Sequence, residues 1–149
     1  MTDQLPVAIR VTRVFDAPRE RLWSEWTEPE AFADWFGGPD YEVPLSSVTM
    51  DVRPGGAWKL TMYAPPGRPE IHWWGEYREV DEPERLVFTI SDQPDEKLAD
   101  LVIVVLNDLG DGRTEMIFEQ RGDHMGPEQY EAAKTGWGAF FDRIDARLR

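Results

Sequence analysis

Apolar and polar residues alternate along most of this chain, and the alternation gives way to a helical spacing in three places. Val7–Phe15 is the first segment with a period of two and many β-branched residues, which predicts a strand. Six later segments have the same strand character: Val48–Val52, Trp58–Tyr63, Ile71–Val80, Leu86–Ile90, Leu101–Leu106 and Thr114–Gln120. The pattern therefore predicts one early strand and a later meander of about six strands.

Clusters of glycine and proline separate the later strands, as turns between neighbouring antiparallel strands require. The clearest are Pro54-Gly55-Gly56, Pro65-Pro66-Gly67 and Gly110-Asp111-Gly112. The first and the last of these precede strands rather than helices, so they do not predict a phosphate-binding loop.

Two short helices are predicted between the first strand and the meander. The first begins at Asp16-Ala17-Pro18, because proline suits a first helical turn, and it buries Trp23 and Trp26. Thr27 and Glu30 then have the spacing of a capping box, which predicts that a second helix starts at once.

The second short helix carries unusually large apolar side chains. Phe32, Trp35 and Phe36 lie at i, i+3 and i+4 and therefore share one side of it. Gly37-Gly38-Pro39 ends the helix, because glycine accepts the left-handed conformation and proline cannot continue the hydrogen bonding.

A long amphipathic helix is predicted from Pro127 to Leu148. Its apolar residues recur every three or four positions: Tyr130, Ala133, Trp137, Phe140, Phe141, Ile144 and Leu148. Gly136 and Gly138 lie inside it, although each glycine costs a helix up to about 1 kcal/mol relative to alanine. Two explanations remain open: another backbone approaches closely, or space is needed beside Trp137.

Composition limits the classes of function. The chain has 149 residues, enough for one domain spanning 1–149, and it has no cysteine and therefore no disulfide or thiol nucleophile. A net charge of −13 disfavours nucleic acid and anionic membrane surfaces as partners. Neither a signal peptide nor a membrane span is evident, so we expect a cytoplasmic location.

Familiar catalytic and metal-binding patterns are lacking. His72 and His124 are the two histidines, and they lie far apart without a carboxylate–histidine spacing, so we expect no metal site and no cofactor. The sequence places Asp123 and His124 in a solvated loop. It contains no Gly-x-Ser-x-Gly motif, so we predict no catalytic residue.

A set of short motifs, in order over nearly the whole chain, resembles the family named for the activator of Hsp90 ATPase. The motifs are Arg13–Trp23, Trp26–Pro29, Trp35-Phe36, Met50–Gly56, Gly75–Tyr77, Pro83–Thr89, Gly112–Thr114 and Gly136-Trp137. The resemblance implies an α+β helix-grip fold like that of START-domain lipid carriers and Bet v 1-like allergens. In that fold a curved antiparallel sheet of six to seven strands wraps a long C-terminal helix and leaves a cavity between them.

The resemblance favours a binding protein. We expect a small hydrophobic or amphipathic molecule to bind between the long helix and the sheet. The predicted ligand-binding residues are aromatic: Trp35, Phe36, Trp58, Trp73, Tyr77, Phe88, Phe118, Trp137 and Phe141. A filled aromatic core is the alternative explanation for the same residues.

Two other functions stay open as alternatives. One is a cavity-based enzyme of cyclase, dehydratase or hydrolase type, with Glu76, Tyr77 and Arg78 as its testable set. The other is a chaperone-interaction module, which we rank lowest because the sequence shows no counterpart of the activator's additional N-terminal domain. A homodimer is compatible with the sequence but is not indicated by it.

The orientation of the Ile71–Val80 strand decides which residues can reach a cavity. Ile71, Trp73 and Tyr77 share one face, while His72, Glu76 and Arg78 share the other. Buried charges would need partners, so we predict that the aromatic face points inward and the charged face outward.

Overall fold

The computed structural model describes residues 5–64, 70–95 and 98–149. The predicted chain break at Pro65–Gly67 lies outside the described residues. The order of elements is strand, two short helices, six strands and a long helix, as the sequence pattern predicts. None of the helices in the described ranges is long and apolar enough to cross a membrane.

Seven antiparallel strands form one sheet in the order β1-β7-β6-β5-β4-β3-β2. Their bounds are Val7–Phe15 (β1), Thr49–Met50 (β2), Ala57–Met62 (β3), Ile71–Asp81 (β4), Arg85–Ile90 (β5), Asp100–Asp108 (β6) and Thr114–Arg121 (β7). Strands β2 to β7 lie side by side in chain order. Strand β1 pairs with the other side of β7, with partners such as Val11 and Phe118. Strand β1 therefore pairs with the edge of β7 that the meander leaves unpaired.

Three α-helices in the described ranges complete the fold: Arg19–Thr27 (α1), Pro29–Trp35 (α2) and Pro127–Leu148 (α3). A single 3-10 turn at Leu45–Ser47 precedes β2. The bounds of α3 agree with the predicted ones. It packs against β1 and α2, and an ion pair of 2.6 Å joins Arg13 on β1 to Asp142 on α3. The curved sheet, the long C-terminal helix and the early short helices together make an α+β helix-grip fold, which confirms the predicted class.

The core lies between the sheet and the helices and is centred on Trp26. The indole of Trp26 has its ring centroid within 6.5 Å of six other aromatic rings: Phe32, Trp35, Phe88, Phe118, Trp137 and Phe141. Strands β5 and β6 are also buried on the opposite face, where Val87, Leu101 and Ile103 form a smaller apolar cluster. Most of the aromatic surplus therefore fills a core.

The predicted capping box is wrong. Thr27 is the last residue of α1, and its hydroxyl donates a hydrogen bond of 2.8 Å to the carbonyl of Trp23 in the preceding turn. Glu28 takes the N-cap position of α2 without a side-chain cap. A threonine near a helix end can bond back to its own helix, and here that bond replaces the cap.

Candidate functional site

A pocket of about 220 Å³ lies between α3 and the inner face of the sheet. Helix α3 contributes Ala133, Gly136, Trp137 and Phe140 to its wall. The sheet side contributes Trp73 from β4 and Ile90 from β5, together with Leu98, which precedes β6. Most of the lining is therefore apolar, as in typical small-molecule sites.

Phe36 brings the corner after α2 to the same pocket. Gly37 and Gly38 follow it with φ angles of 103° and 62°, a region that favours glycine. These two residues turn the chain away at the end of α2, as predicted for the Gly-Gly-Pro stop. The position of Phe36 at the pocket thus depends on the helix end that the sequence encodes.

The structure explains why one of the two glycines inside α3, Gly136, is a glycine. Apart from the adjacent residues and the local helix backbone, a Cβ placed on Gly136 would meet no heavy atom of the described chain within 4 Å, and the residue borders the pocket. No other backbone approaches it closely, which removes one of the two explanations given above. Open space beside Trp137 is the explanation that the structure supports.

One end of the pocket is polar. Asp100 at the start of β6, Gln120 at the end of β7 and His124 in the following loop all line it. Gln120 donates a hydrogen bond of 2.8 Å from its amide to Asp100, and its carbonyl oxygen accepts one of 2.8 Å from the indole of Trp137. Tyr130 donates its hydroxyl to Asp100 at 3.3 Å.

The imidazole of His124 completes this cluster. Its Nε2 lies 3.1 Å from Oδ1 of Asp100, the oxygen that also accepts from Tyr130. The His124 side chain is 22% exposed, whereas Asp100 is 2% exposed. The cluster therefore joins a deeply buried carboxylate to an imidazole that solvent or a ligand can reach.

Burial is the main influence on the charge of Asp100. It raises the pKa of this carboxyl, while hydrogen bonds from Gln120 and Tyr130 and the proximity of His124 act in the opposite direction. The pKa of Tyr130 is raised to about 12 by burial and by the carboxylate of Asp100. Tyr130 is therefore a hydrogen-bond donor at neutral pH.

Three of the nine predicted site residues line the pocket: Phe36, Trp73 and Trp137. The other six belong to the buried core: Trp35, Trp58, Tyr77, Phe88, Phe118 and Phe141. Two indoles in this second group bond to backbone carbonyls, Trp35 to Glu25 at 2.7 Å and Trp58 to Thr89 at 3.0 Å. Ligand contact by any of the nine stays a prediction.

The predicted orientation of β4 is confirmed. Ile71, Trp73 and Tyr77 pack on the core, while the side chains of Glu76 and Arg78 are exposed and lie 3.5 Å apart on the outer face. Tyr77 is 2% exposed, and burial followed by the charge of Asp51 raises its pKa. Glu76, Tyr77 and Arg78, the residues proposed for an enzyme, do not border the pocket.

The sequence reading missed the polar end of the pocket. Asp123 and His124 lie in an exposed loop after β7, as predicted, but the imidazole of His124 also pairs with the buried carboxylate of Asp100 at the start of β6. One signal was present for Gln120. Thr114, Met116, Phe118 and Gln120 share the inward face of β7, and a polar residue on such a face needs a partner. Within the described ranges, no group of three or more metal-ligating side chains occurs.

The chain matches the profile of the family described as Activator of Hsp90 ATPase homolog 1-like protein over residues 16–149. It therefore belongs to that family. No curated protein matches the chain. The resemblance suggested by the motifs is confirmed.

Solved structures from several bacteria share the fold. A protein from Chromobacterium violaceum is 26% identical with a TM-score of 0.76, over 94% of this chain and 95% of that one. The AHSA1 protein from Silicibacter pomeroyi is 20% identical with a TM-score of 0.80, over 94% and 96%. A protein from Mycobacterium smegmatis is 23% identical with a TM-score of 0.79, over 100% and 93%. At such identities the likeness concerns the fold.

Proposed function

We propose that this protein binds a small, mostly apolar molecule in the pocket between α3 and the sheet. The observation that carries the proposal is the open space at Gly136. A long helix that only closed a core would gain stability from alanine at this position. No heavy atom of the described chain lies within 4 Å of the added methyl group, apart from the two adjacent residues and the local helix backbone. The glycine leaves room beside Trp137 that a ligand can occupy.

The size of the pocket limits the ligand. Its volume of about 220 Å³ lies below the range of roughly 300–1,000 Å³ for typical drug-sized sites. It exceeds the roughly 150 Å³ of an engineered apolar cavity that binds benzene. A molecule of one or two rings therefore fits the pocket as it stands, whereas a long lipid would need it to widen.

Charge disfavours an anionic ligand. The chain carries a net charge of −13, and Asp92 and Asp100 both line the pocket. An anionic ligand would lose hydration on entering and would face these carboxylates. The apolar wall formed by Phe140 and Ile90 offers no counter-charge.

A pair of alanines on α3 allows a matched test. Ala133 lines the pocket, whereas its neighbour Ala132 is exposed. We expect Ala133→Leu to fill part of the pocket and Ala132→Leu to leave it unchanged. Native mass spectrometry of the purified protein, followed by a melting screen of one- and two-ring compounds, measures binding. Ligands should raise the melting temperature of the wild type and of Ala132→Leu, and much less that of Ala133→Leu. Equal shifts in all three proteins would contradict the proposal.

The two alternatives have less support. An enzyme in this pocket would have to use Asp100 and His124, because Glu76 and Arg78 lie on the outer face of β4. The chaperone alternative rests on the description of the family, and a stimulation assay with an Hsp90-type ATPase tests it. Ligand binding is the function that the geometry of the pocket supports best.

A further inference from the structure

His124 presents a carboxylate–imidazole pair to the pocket. Three donors surround the two oxygens of Asp100: the amide of Gln120, the hydroxyl of Tyr130 and Nε2 of His124. Each of these contacts stabilises the ionised carboxylate, which only accepts hydrogen bonds, and opposes the effect of burial, which raises the pKa of Asp100. The hydrogen of a neutral imidazole is thereby held on Nε2.

The other ring nitrogen is left for a ligand. Nδ1 of His124 makes no hydrogen bond within residues 5–64, 70–95 and 98–149, and the ring borders the pocket. With the hydrogen on Nε2, Nδ1 carries a lone pair and accepts. It is therefore an available acceptor on a residue that lines the polar end of the pocket.

We propose that His124, oriented by Asp100, binds a hydroxyl group on the ligand through Nδ1. The inference rests on the proposed function and deepens it, because it assigns one polar group to an otherwise apolar molecule. Asp100 acts through His124 and is a positioning residue. The ligand class is thus a small alcohol or phenol whose rings lie along Trp137 and Phe140.

Other polar groups fit less well. A carboxylate lacks a hydrogen to donate to Nδ1 and would face Asp92 and Asp100 at the pocket. An ammonium would lose most of its hydration among apolar walls, and the carboxylate of Asp100 that could pair with it is already bonded to Gln120, Tyr130 and His124. A hydroxyl donates one hydrogen bond and loses little hydration on entry, so it matches the site.

Two probes of nearly equal shape separate the contribution of the hydroxyl group to affinity from that of the rings. 2-Naphthol and 2-methylnaphthalene differ by a hydroxyl in place of a methyl group, and calorimetry measures the affinity of both. One net hydrogen bond corresponds to a preference of roughly three- to tenfold, so we expect the wild type to bind 2-naphthol that much more tightly. His124→Phe should remove the preference and retain 2-methylnaphthalene. His72→Phe, at the exposed second histidine, is the control and should retain the preference.

Nitrogen-15 NMR of the two histidines gives a second readout that needs no variant. We expect 2-naphthol to shift Nδ1 of His124 and to leave His72 unchanged, while 2-methylnaphthalene shifts neither ring nitrogen. Asp100→Asn should let the neutral His124 ring adopt the other tautomer and should reduce the preference for 2-naphthol. A structural role alone would leave the tautomer signals unchanged.

The outcomes distinguish this inference from the proposed function. Equal affinity of the wild type for both probes would overturn the role of His124 and leave the binding pocket supported. Failure of both probes to bind would overturn the pocket as a site for two-ring molecules, and the role of His124 with it. A preference that survives in His124→Phe would place the hydroxyl elsewhere.

Discussion

The indole N–H of Trp137 donates a hydrogen bond of 2.8 Å to the side-chain oxygen of Gln120. Both groups are buried, and the bond joins the middle of α3 to the end of β7. Because the amide of Gln120 in turn donates to Asp100, the helix is linked through two side chains to the polar end of the pocket. The position of α3 beside the pocket and the orientation of Asp100 thus share one network.

Trp137→Phe should destabilise the protein by about 1–3 kcal/mol. The substitution keeps a large apolar ring but leaves the buried oxygen of Gln120 without its donor, and an unsatisfied buried group costs that order of free energy. Urea denaturation measures the free energy of unfolding. The control is Trp74→Phe, which removes an indole bond to Gln93 at an exposed site. Equal losses in the two variants would show that burial of the Trp137 bond has no special effect.

Arg147→Met should destabilise the protein by about 2–4 kcal/mol. Arg147 on α3 binds both oxygens of Glu25, at 2.6 and 3.3 Å, and also pairs with Asp34 on α2. Glu25 is 2% exposed, so its charge would be left buried and unpaired. The hydrogen bond with Glu25 is also the main reason for the raised pKa of Arg147, so its charge persists over the accessible pH range.

The matched control lies two residues further on, at the C-cap of α3. Arg149 pairs with Asp145 at 2.8 Å, but its side chain is 76% exposed. Arg149→Met should therefore change the free energy of unfolding much less than Arg147→Met does, as is usual for surface pairs. A loss in Arg147→Met as small as this would show that Glu25 finds water or another partner.

The sequence predicted the order of elements because periodicity depends on local geometry. Strand alternation and the stripe on α3 each reflect which face is buried, so Ile71–Val80 and Pro127–Leu148 could be assigned and oriented without a structure. Local signals failed where two local bonds compete. Thr27 can cap the next helix or bond back to its own, and the sequence alone does not decide between them.

The candidate site was only partly predictable because tertiary packing decides it. Phe118 and Trp137 both point inward, with ring centroids 4.6 Å apart, yet Trp137 borders the pocket and Phe118 fills the core. Asp100, Gln120 and His124 come from separate parts of the sequence, so their meeting depends on strand register and on the loop after β7. No spacing in the sequence encodes that meeting.

Gly136→Ala and Gly138→Ala should both stabilise the protein by about 0.5–1 kcal/mol. Neither added methyl group would meet another heavy atom of the described chain within 4 Å, aside from the adjacent residues and the local helix backbone, and alanine is the better helix former. Thermal unfolding should show a rise of about 1–4 °C for each. Binding of 2-naphthol should weaken only in Gly136→Ala, because Gly136 lines the pocket and Gly138 does not. Equal binding in both variants would show that the ligand does not bind beside Gly136.

Asp100→Asn should reduce the loss of stability that accompanies rising pH. Burial raises the pKa of Asp100 above its usual value of 3.8, so the folded chain holds this proton more tightly than the unfolded chain. The contribution of Asp100 to the free energy of unfolding is therefore fully present below about pH 4 and is lost as pH rises through its folded pKa. The groups that face it are Gln120, His124, Tyr130 and Asp123.

Urea denaturation from about pH 4 to pH 7 measures this contribution as the difference in free energy of unfolding between Asp100→Asn and the wild type. As pH rises, the free energy of unfolding of Asp100→Asn should increase relative to that of the wild type. Asp111→Asn is the control with the opposite sign, because a hydrogen bond from Arg113 lowers the pKa of this exposed carboxylate. Its contribution is lost as pH falls rather than as pH rises. If the difference for Asp100→Asn does not change with pH, the hydrogen bonds to Asp100 fully offset its burial.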